Sequence, residues 1–334
     1  MNDPLRAIWG ALVGDACGAT LEFYDDDITE EVAMRAMTMP GGGSLRVGPG
    51  QITDDGELTL TLWNVLRGRD PAHGIPLKKV AKAYAEWYES FPFDIGQTCS
   101  LAFDALSMWA EHEEENMTEV LHTIAGMSSH SEANGAMMRV TPIASWWASH
   151  PISINGTLCI EETARYASDA AEMDARLSHP GRVTRDANAV YVYALTLLLL
   201  GYDTKNTIQL VELMTRDTCD IVRKWVEESK GNWDTLSDAR VLIGHVRHAF
   251  VMALWFLRHP EIGYGDAIYR VLCRGGDTDT NAAIVGGMVA CYQPIPLFMK
   301  SAVHNFDGNS IRREHRIIGR ERPNEYVVKY QMGS

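Results

Sequence analysis

An all-α fold in a single domain is what this sequence predicts, on three observations. Apolar residues recur at three- and four-residue steps in one segment after another, the spacing that lines one face of a helix. Period-two alternation hardly appears, which leaves no basis for a sheet-based domain. No linker-like stretch divides the 334 residues and no fixed-period repeat suggests a solenoid. Residues 1–334 therefore read as one unit.

Taken in order, residues 5–22 open with helical character. Ala7, Ala11, Gly14 and Gly18 fall on one small-residue face, which suits a buried helix pressed against neighbouring backbone. Asp15 lies within this segment and Glu22 closes it. The acidic run Asp25-Asp26-Asp27 that follows reads as a solvated turn. Residues 40–51 are rich in glycine and proline and read as a flexible loop, placed to act as a mobile flap. Their glycines match no phosphate-loop pattern, since no Gly-Lys-Ser or Gly-Lys-Thr follows.

Thr53 then stands as an N-cap, with Asp54 and Asp55 in the first turn and Leu58, Leu62 and Leu66 along one face. An amphipathic helix over 76–90 carries Val80, Tyr84 and Trp87. A break follows at 91–96, where Asp94 is placed to cap the next helix, over 97–110. Further helices are expected over 117–127, 160–173, 182–200, 207–228, 237–257 and 264–273. Between them, Asn134-Gly135 signals a turn whose backbone amides suit phosphate oxygens. His179 falls in a loop between two helices, where exposure is expected. His245 and His248, one turn apart on a helix, lack a third ligand and read as structural. Trp87, Trp109, Trp146, Trp147 and Trp255 read as core.

The last helix is the one the chemistry hangs on. Gly275 and Gly276 turn the chain sharply into Asp277-Thr278-Asp279-Thr280, and Ala282, Ala283, Gly286, Gly287 and Ala290 strip one face of bulk. Such a helix sits deep in a core and carries its acidic start inward. If its mouth meets that of the Thr53 helix, Asp54, Asp55, Asp277 and Asp279 converge. That many carboxylates require raised pKa values or bound cations, and an oxygen-only set suits Mg²⁺ or Mn²⁺ rather than zinc or copper. Spacing alone favours two independent helix caps.

Composition narrows the class. The chain carries 44 acidic against 30 basic residues, a formal charge of −14, which argues against a nucleic-acid or anionic-membrane surface. No signal peptide opens it and no apolar run reaches spanning length. Six cysteines scattered singly suit reduced thiols in a cytoplasmic compartment.

Six short motifs together resemble the ADP-ribosylglycohydrolases. They are Gly14-Asp-Ala-Cys-Gly-Ala-Thr-Leu-Glu22, Thr53-Asp54-Asp55, Asp94-Ile-Gly-Gln-Thr98, Asn134-Gly-Ala-Met-Met-Arg139, Ser178-His179-Pro and Gly275-Gly-Asp-Thr-Asp-Thr280. The resemblance covers about residues 5–292 and favours convergence over capping. It implies a single orthogonal helical bundle with a dinuclear metal site holding two Mg²⁺ or Mn²⁺ ions. Thr53, Asp54, Asp55, Asp277, Asp279 and Thr280 would be the ligands. Asp55, Glu22 and Asp279 would be the catalytic carboxylates, with Asp55 or Glu22 handling protons. Asp94 would hold the distal ribose of ADP-ribose, the Asn134, Gly135 and Ala136 loop its diphosphate, and His179 its other half. Two departures stand out: Gly56 replaces the usual threonine, with altered packing or weaker metal support expected, and the segment after Cys291 is abbreviated.

The implied activity is metal-dependent hydrolysis of ADP-ribose from modified protein side chains. The arginine N-glycosidic linkage is favoured over the serine O-glycosidic one because of Asp94-Ile95-Gly96. The expected partners are an ADP-ribosylated protein and ADP-ribose, with no nucleic acid and no membrane, and the chain is expected to be a monomer. The rivals are a catalytically silent ADP-ribose-binding relative, an immunity protein against an ADP-ribosylating toxin, and a metal-dependent phosphatase.

Overall fold

In the computed structural model, which describes residues 3–24, 26–111, 116–308 and 319–332, helices dominate. The first six are α1 (Arg6–Gly18), α2 (Glu30–Ala36), α3 (Asp54–Leu66), α4 (Leu77–Glu89), α5 (Gln97–Glu111) and α6 (Thr118–Ser128). Then come α7 (Thr141–Ser149), α8 (Ile160–Ala175), α9 (Arg182–Leu199), α10 (Thr204–Met214) and α11 (Asp220–Glu228). The series ends with α12 (Val246–Arg258), α13 (Tyr264–Cys273), α14 (Thr278–Val289), α15 (Leu297–Asn305) and the short α16 (Val328–Gln331). Among the described residues the only sheet is a two-stranded hairpin, Ser153–Ile154 against Thr157–Leu158, with all four residues exposed. The all-α expectation holds.

The centre of the molecule is the contact between α1 and α14. A Cβ built on Gly10 would lie 2.2 Å from the Gly286 carbonyl oxygen, and one on Gly14 would lie 2.0 Å from that of Ala282. Nothing larger than glycine fits at either position without moving a helix, and cores resist such shifts. The small-residue faces of α1 and α14 therefore meet each other, backbone to backbone. Tyr264 locks the pair by donating to the Gly10 carbonyl at 2.6 Å, and Tyr191 donates to that of Ile284 at 2.7 Å. One continuous apolar core surrounds them, and the five tryptophans expected there are buried.

Several boundaries differ from expectation. The helix expected over 207–228 is two helices, because Asp186 accepts the amide of Cys219 at 2.7 Å and the Thr218 hydroxyl turns back to the Thr215 carbonyl. The helix expected over 237–257 begins only at Val246. Arg274 draws the carbonyls of Leu236 and Ser237 into a loop, and Gly244 sits at φ 80°. Helices α2 and α7 were not anticipated. The acidic run lies partly outside the described residues, which omit Asp25; Asp26 and Asp27 are exposed. Of the basic tail, 311–318 lie outside them too.

The glycine-rich loop is not a flap. Gln51 accepts from the amides of Gly48 and Arg320 and donates to the Arg320 carbonyl at 2.6 Å. Gly43 and Gly50 press against the carbonyls of Thr20 and Ala302, and none of residues 40–51 lines the main cavity. The loop is packed under the C-terminal segment, which its side-chain pattern did not reveal.

Candidate active site

The acidic mouths of α3 and α14 do meet. Gly18 makes this possible: an added Cβ would stand 2.4 Å from the Asp279 Cα, so only glycine lets α1 and the start of α14 touch. The Thr53 hydroxyl reaches Asp279 Oδ2 at 3.3 Å and Asp55 Oδ2 at 3.4 Å, and the Thr280 hydroxyl donates to Asp55 Oδ2 at 3.2 Å. Thr53 occupies the N-cap position of α3 without capping it. Its oxygen is committed to the cluster instead. Thr278, by contrast, turns away and donates to the Gly18 carbonyl at 3.0 Å.

Around this nucleus stand the other predicted groups. Asp94 stands beside Asp54 and Glu22, and Glu22 beside Asp279. Carboxylate oxygens of Glu22, Asp94 and Asp279 lie within 4.8 Å of one another. Asp277 accepts from the Asn134 side-chain amide at 2.7 Å, and its charge reaches Asp55 and Asp279. The six proposed ligands thus form one connected group, together with Glu22 and Asp94.

Electrostatics follow from burial. Loss of solvent, then neighbouring carboxylates, raise Asp54, Asp55 and Asp279 well above the usual range. Glu22 is pushed up to about 9 by burial and then by Asp94. Asp55 Oδ1 and Glu22 Oε2 are buried without a protein partner. Buried acids with unused oxygens are stabilised either by protons or by cations. An all-oxygen set with orphaned lone pairs fits hard divalent ions.

A cavity of about 930 Å³ opens over the cluster, a size that suits a dinucleotide-like ligand. Glu22, Asp54, Asp94, Asn134, Gly135 and His179 are on its wall. Asn134 is less free than expected, because its N–H donates to the Gly244 carbonyl at 2.9 Å. Ala136 is buried and off the wall. His179 corrects the sequence reading: it is fully buried rather than exposed, with Nδ1 2.9 Å from the Ser178 hydroxyl and Nε2 unpartnered. Burial, then Arg139, lower it to about 3, so it is neutral at physiological pH. His245 and His248 are structural, as read. His245 is bound to Glu132 and to the Arg247 amide, and His248 to Ser237 and the Val241 carbonyl.

Two functional supports escaped the sequence reading. Asp15 is fully buried and accepts from the Thr53 amide, the Thr53 hydroxyl and the Gly56 amide at 2.9–3.1 Å. It caps α3 from α1, work that Thr53 cannot do while its oxygen serves the cluster. Its place beside Gly14 was the one available signal. Arg139 pairs with Asp174 at 3.2 Å and donates to the Gly135 carbonyl at 2.9 Å, which holds the turn against His179. Only its position at the end of the Asn134 motif hinted at it.

Buried carboxylates in this number, at the foot of a substrate-sized cavity in an all-helical core, make a site built for hard cations and a polar ligand. The comparisons name its kind. Residues 4–321 match the family model ADP-ribosylglycohydrolase, and the chain belongs to that family of glycosidic-bond hydrolases. It is 25% identical over 319 residues to a protein of Acanthamoeba polyphaga mimivirus provisionally named ADP-ribosyl glycohydrolase L543, covering 90% of each chain. It is 33% identical over 154 residues to the ADP-ribosyl-[dinitrogen reductase] glycohydrolase of Rhodospirillum rubrum, 45% of this chain and 46% of that one. A solved structure titled ADP-ribosylglycohydrolase-related protein complex superposes with a TM-score of 0.68 at 23% identity, over 99% of this chain and 98% of that one. That likeness speaks for the fold.

Proposed function

We propose that this glycohydrolase removes ADP-ribose from modified arginine side chains of proteins, and that it needs two divalent cations, Mg²⁺ or Mn²⁺, to do so. The observation that carries the reading is the 3.3 Å approach of Thr53 to Asp279, which joins two acidic helix mouths 226 residues apart. The arginine preference is supported by Asp94-Ile95-Gly96 and by a relative of Pseudomonas putida named ADP-ribosylarginine hydrolase Tri1. That relative is 29% identical over 154 residues, 43% of this chain and 38% of its own length.

Thr53, Asp54, Asp55, Asp277, Asp279 and Thr280 would hold the cations, which supply electrostatic stabilisation of the transition state and acidify water. The chain's own groups do the rest. Asp94 accepts from hydroxyls of the distal ribose and fixes the anomeric carbon over the cluster. The turn at Gly135 receives the diphosphate away from the carboxylates, and neutral His179 offers Nε2 to the other half. As the anomeric bond breaks through an oxocarbenium-like state, Glu22 gives a proton to the leaving nitrogen. Asp55, with Oδ1 unused, takes one from the attacking water. The site calls for a modified protein and ADP-ribose as partners. The acidic charge disfavours nucleic acid, and no helix among the described residues is long and apolar enough to cross a membrane. A monomer in the cytoplasm completes the reading.

The test is release of free ADP-ribose from arginine- and serine-modified proteins, with and without Mn²⁺. Release from the arginine substrate, stopped by chelation and by Asp279→Asn, is expected. Tight ADP-ribose binding without turnover would instead make this a silent binder, and inorganic phosphate as product would make it a phosphatase.

A further inference from the structure

Around the mouth of the cavity the chain exposes apolar side chains that its own core does not use. On one lip, Phe23 and Tyr24 are 63% and 42% exposed; on the other, Leu242 and Ile243 are 71% and 62% exposed. Phe23, Tyr24 and Ile243 reach the cavity wall. The lips meet where Arg240 donates to Asp27 at 3.2 Å. Single exposed apolar residues are ordinary, but a group on both lips of a substrate cavity is a patch.

The backbone adds a second observation. Phe23 and Leu242 lie at φ 56° and 55°, a region that a bulky residue enters at a cost because its Cβ crowds the chain. Burial does not compensate at either position. Nor are the lips loose. His245 donates its amide to the Leu242 carbonyl, His248 Nε2 lies 2.8 Å from that of Val241, and Tyr24 is tied back to Leu21. The fold holds two large apolar side chains outward where glycine would sit more easily, and strain kept in place by its surroundings gathers at functional sites.

We propose that these lips are a docking surface for the protein that carries the ADP-ribosyl group, so that apolar side chains beside the modified residue are recognised along with the nucleotide. The inference rests on the glycohydrolase reading above. It commits to this occupant for a geometric reason: Phe23 and Tyr24 directly follow Glu22 on the cavity wall, so a side chain whose ADP-ribosyl bond lies at the cluster leads its polypeptide out past that lip. Asp26, exposed on the same lip, adds a preference for basic neighbours of the modified residue.

The test compares one protein modified on arginine with free ADP-ribosyl-arginine, for the wild type, Leu242→Gly and Leu242→Met. Leu242 is on the lip but off the cavity wall, and glycine fits its backbone, so Leu242→Gly keeps the fold while removing the side chain. Leu242→Gly is expected to raise KM for the modified protein fivefold or more and to change kcat/KM for the small substrate less than twofold, with Leu242→Met near wild type. Equal losses on both substrates, or no loss on either, overturn the proposal. If the wild type cleaves neither substrate, the functional reading fails, and affinity decides the docking surface separately. Tighter binding of the modified protein than of ADP-ribose, weakened by Leu242→Gly, sustains it, and equal binding of the two ends it.

Discussion

The amide of Gly56 donates to Asp15 Oδ2 at 2.9 Å, joining the first turn of α3 to the middle of α1. A Cβ on Gly56 would come 2.6 Å from that same oxygen and 2.7 Å from the Ile52 Cβ. The glycine that departs from the usual family pattern is therefore what admits Asp15 as a remote cap, and Asp15 in turn orients Thr53. Gly56→Ala should cost about 1–3 kcal/mol of stability, the range for overpacking a tight site, and weaken Mn²⁺ binding. Urea unfolding and calorimetric titration check both; unchanged values would show that Ile52 and Asp15 yield freely.

Arg322 anchors the C-terminal segment to α3, the helix that carries Asp54 and Asp55. It donates to Glu57 Oε1 and Oε2 at 2.8 Å, both side chains are almost wholly buried, and the Trp87 indole adds a third donor. Arg322→Ala would leave a buried carboxylate without its cation, a loss of about 3–5 kcal/mol. Replacing both partners by methionine should recover most of that loss. Thermal unfolding of the two variants beside the wild type measures it, and equal destabilisation by the single and double changes would contradict it.

His179 makes stability fall in acid. Burial holds its folded pKa at about 3, below the ordinary histidine value of 6.5, so between these values the unfolded chain binds a proton that the folded chain does not. Stability is unaffected above the upper value and declines as pH drops toward the lower, by about 2 kcal/mol at a pH near 5. His179→Gln should flatten that part of the pH–stability curve relative to wild type.

The carboxylate cluster acts in the opposite direction when no cation is bound. Asp15 is raised from 3.8 to about 7 and Glu22 from 4.5 to about 9. Their contribution is complete below the unfolded values and is lost as pH rises through the folded ones. Chelator-treated protein should therefore lose melting temperature between about pH 4 and 9. Added Mn²⁺ should restore more of it at the alkaline end, where deprotonated ligands bind better. A Mn²⁺ effect independent of pH would argue against cation binding by this cluster.

How much of this was legible in the sequence depends on the range of the interaction. The small-residue faces of α1 and α14 could be read because glycine and alanine at helical spacing leave a visible gap, and the structure fills each gap with the other helix. The acidic mouths were legible as residue types, though spacing alone favoured two separate caps. What could not be read were partners chosen by distant segments. Gln51 turns a flexible-looking loop into a packed one only through Arg320, Asp186 ends a helix more than thirty residues away, and the burial of His179 depends on Gly135 and Arg139. Local periodicity has no access to such pairings.

The contact between α1 and α14 also bears on synthesis. Gly18 and Thr278, which bring Asp279 to its place, lie 260 positions apart. A ribosome extends the chain from the N-terminus, so α1 waits with its glycine face bare until almost the whole polypeptide has emerged. No nascent fragment that stops short of α14 can assemble the carboxylate cluster, which closes late in folding, when α14 packs on α1.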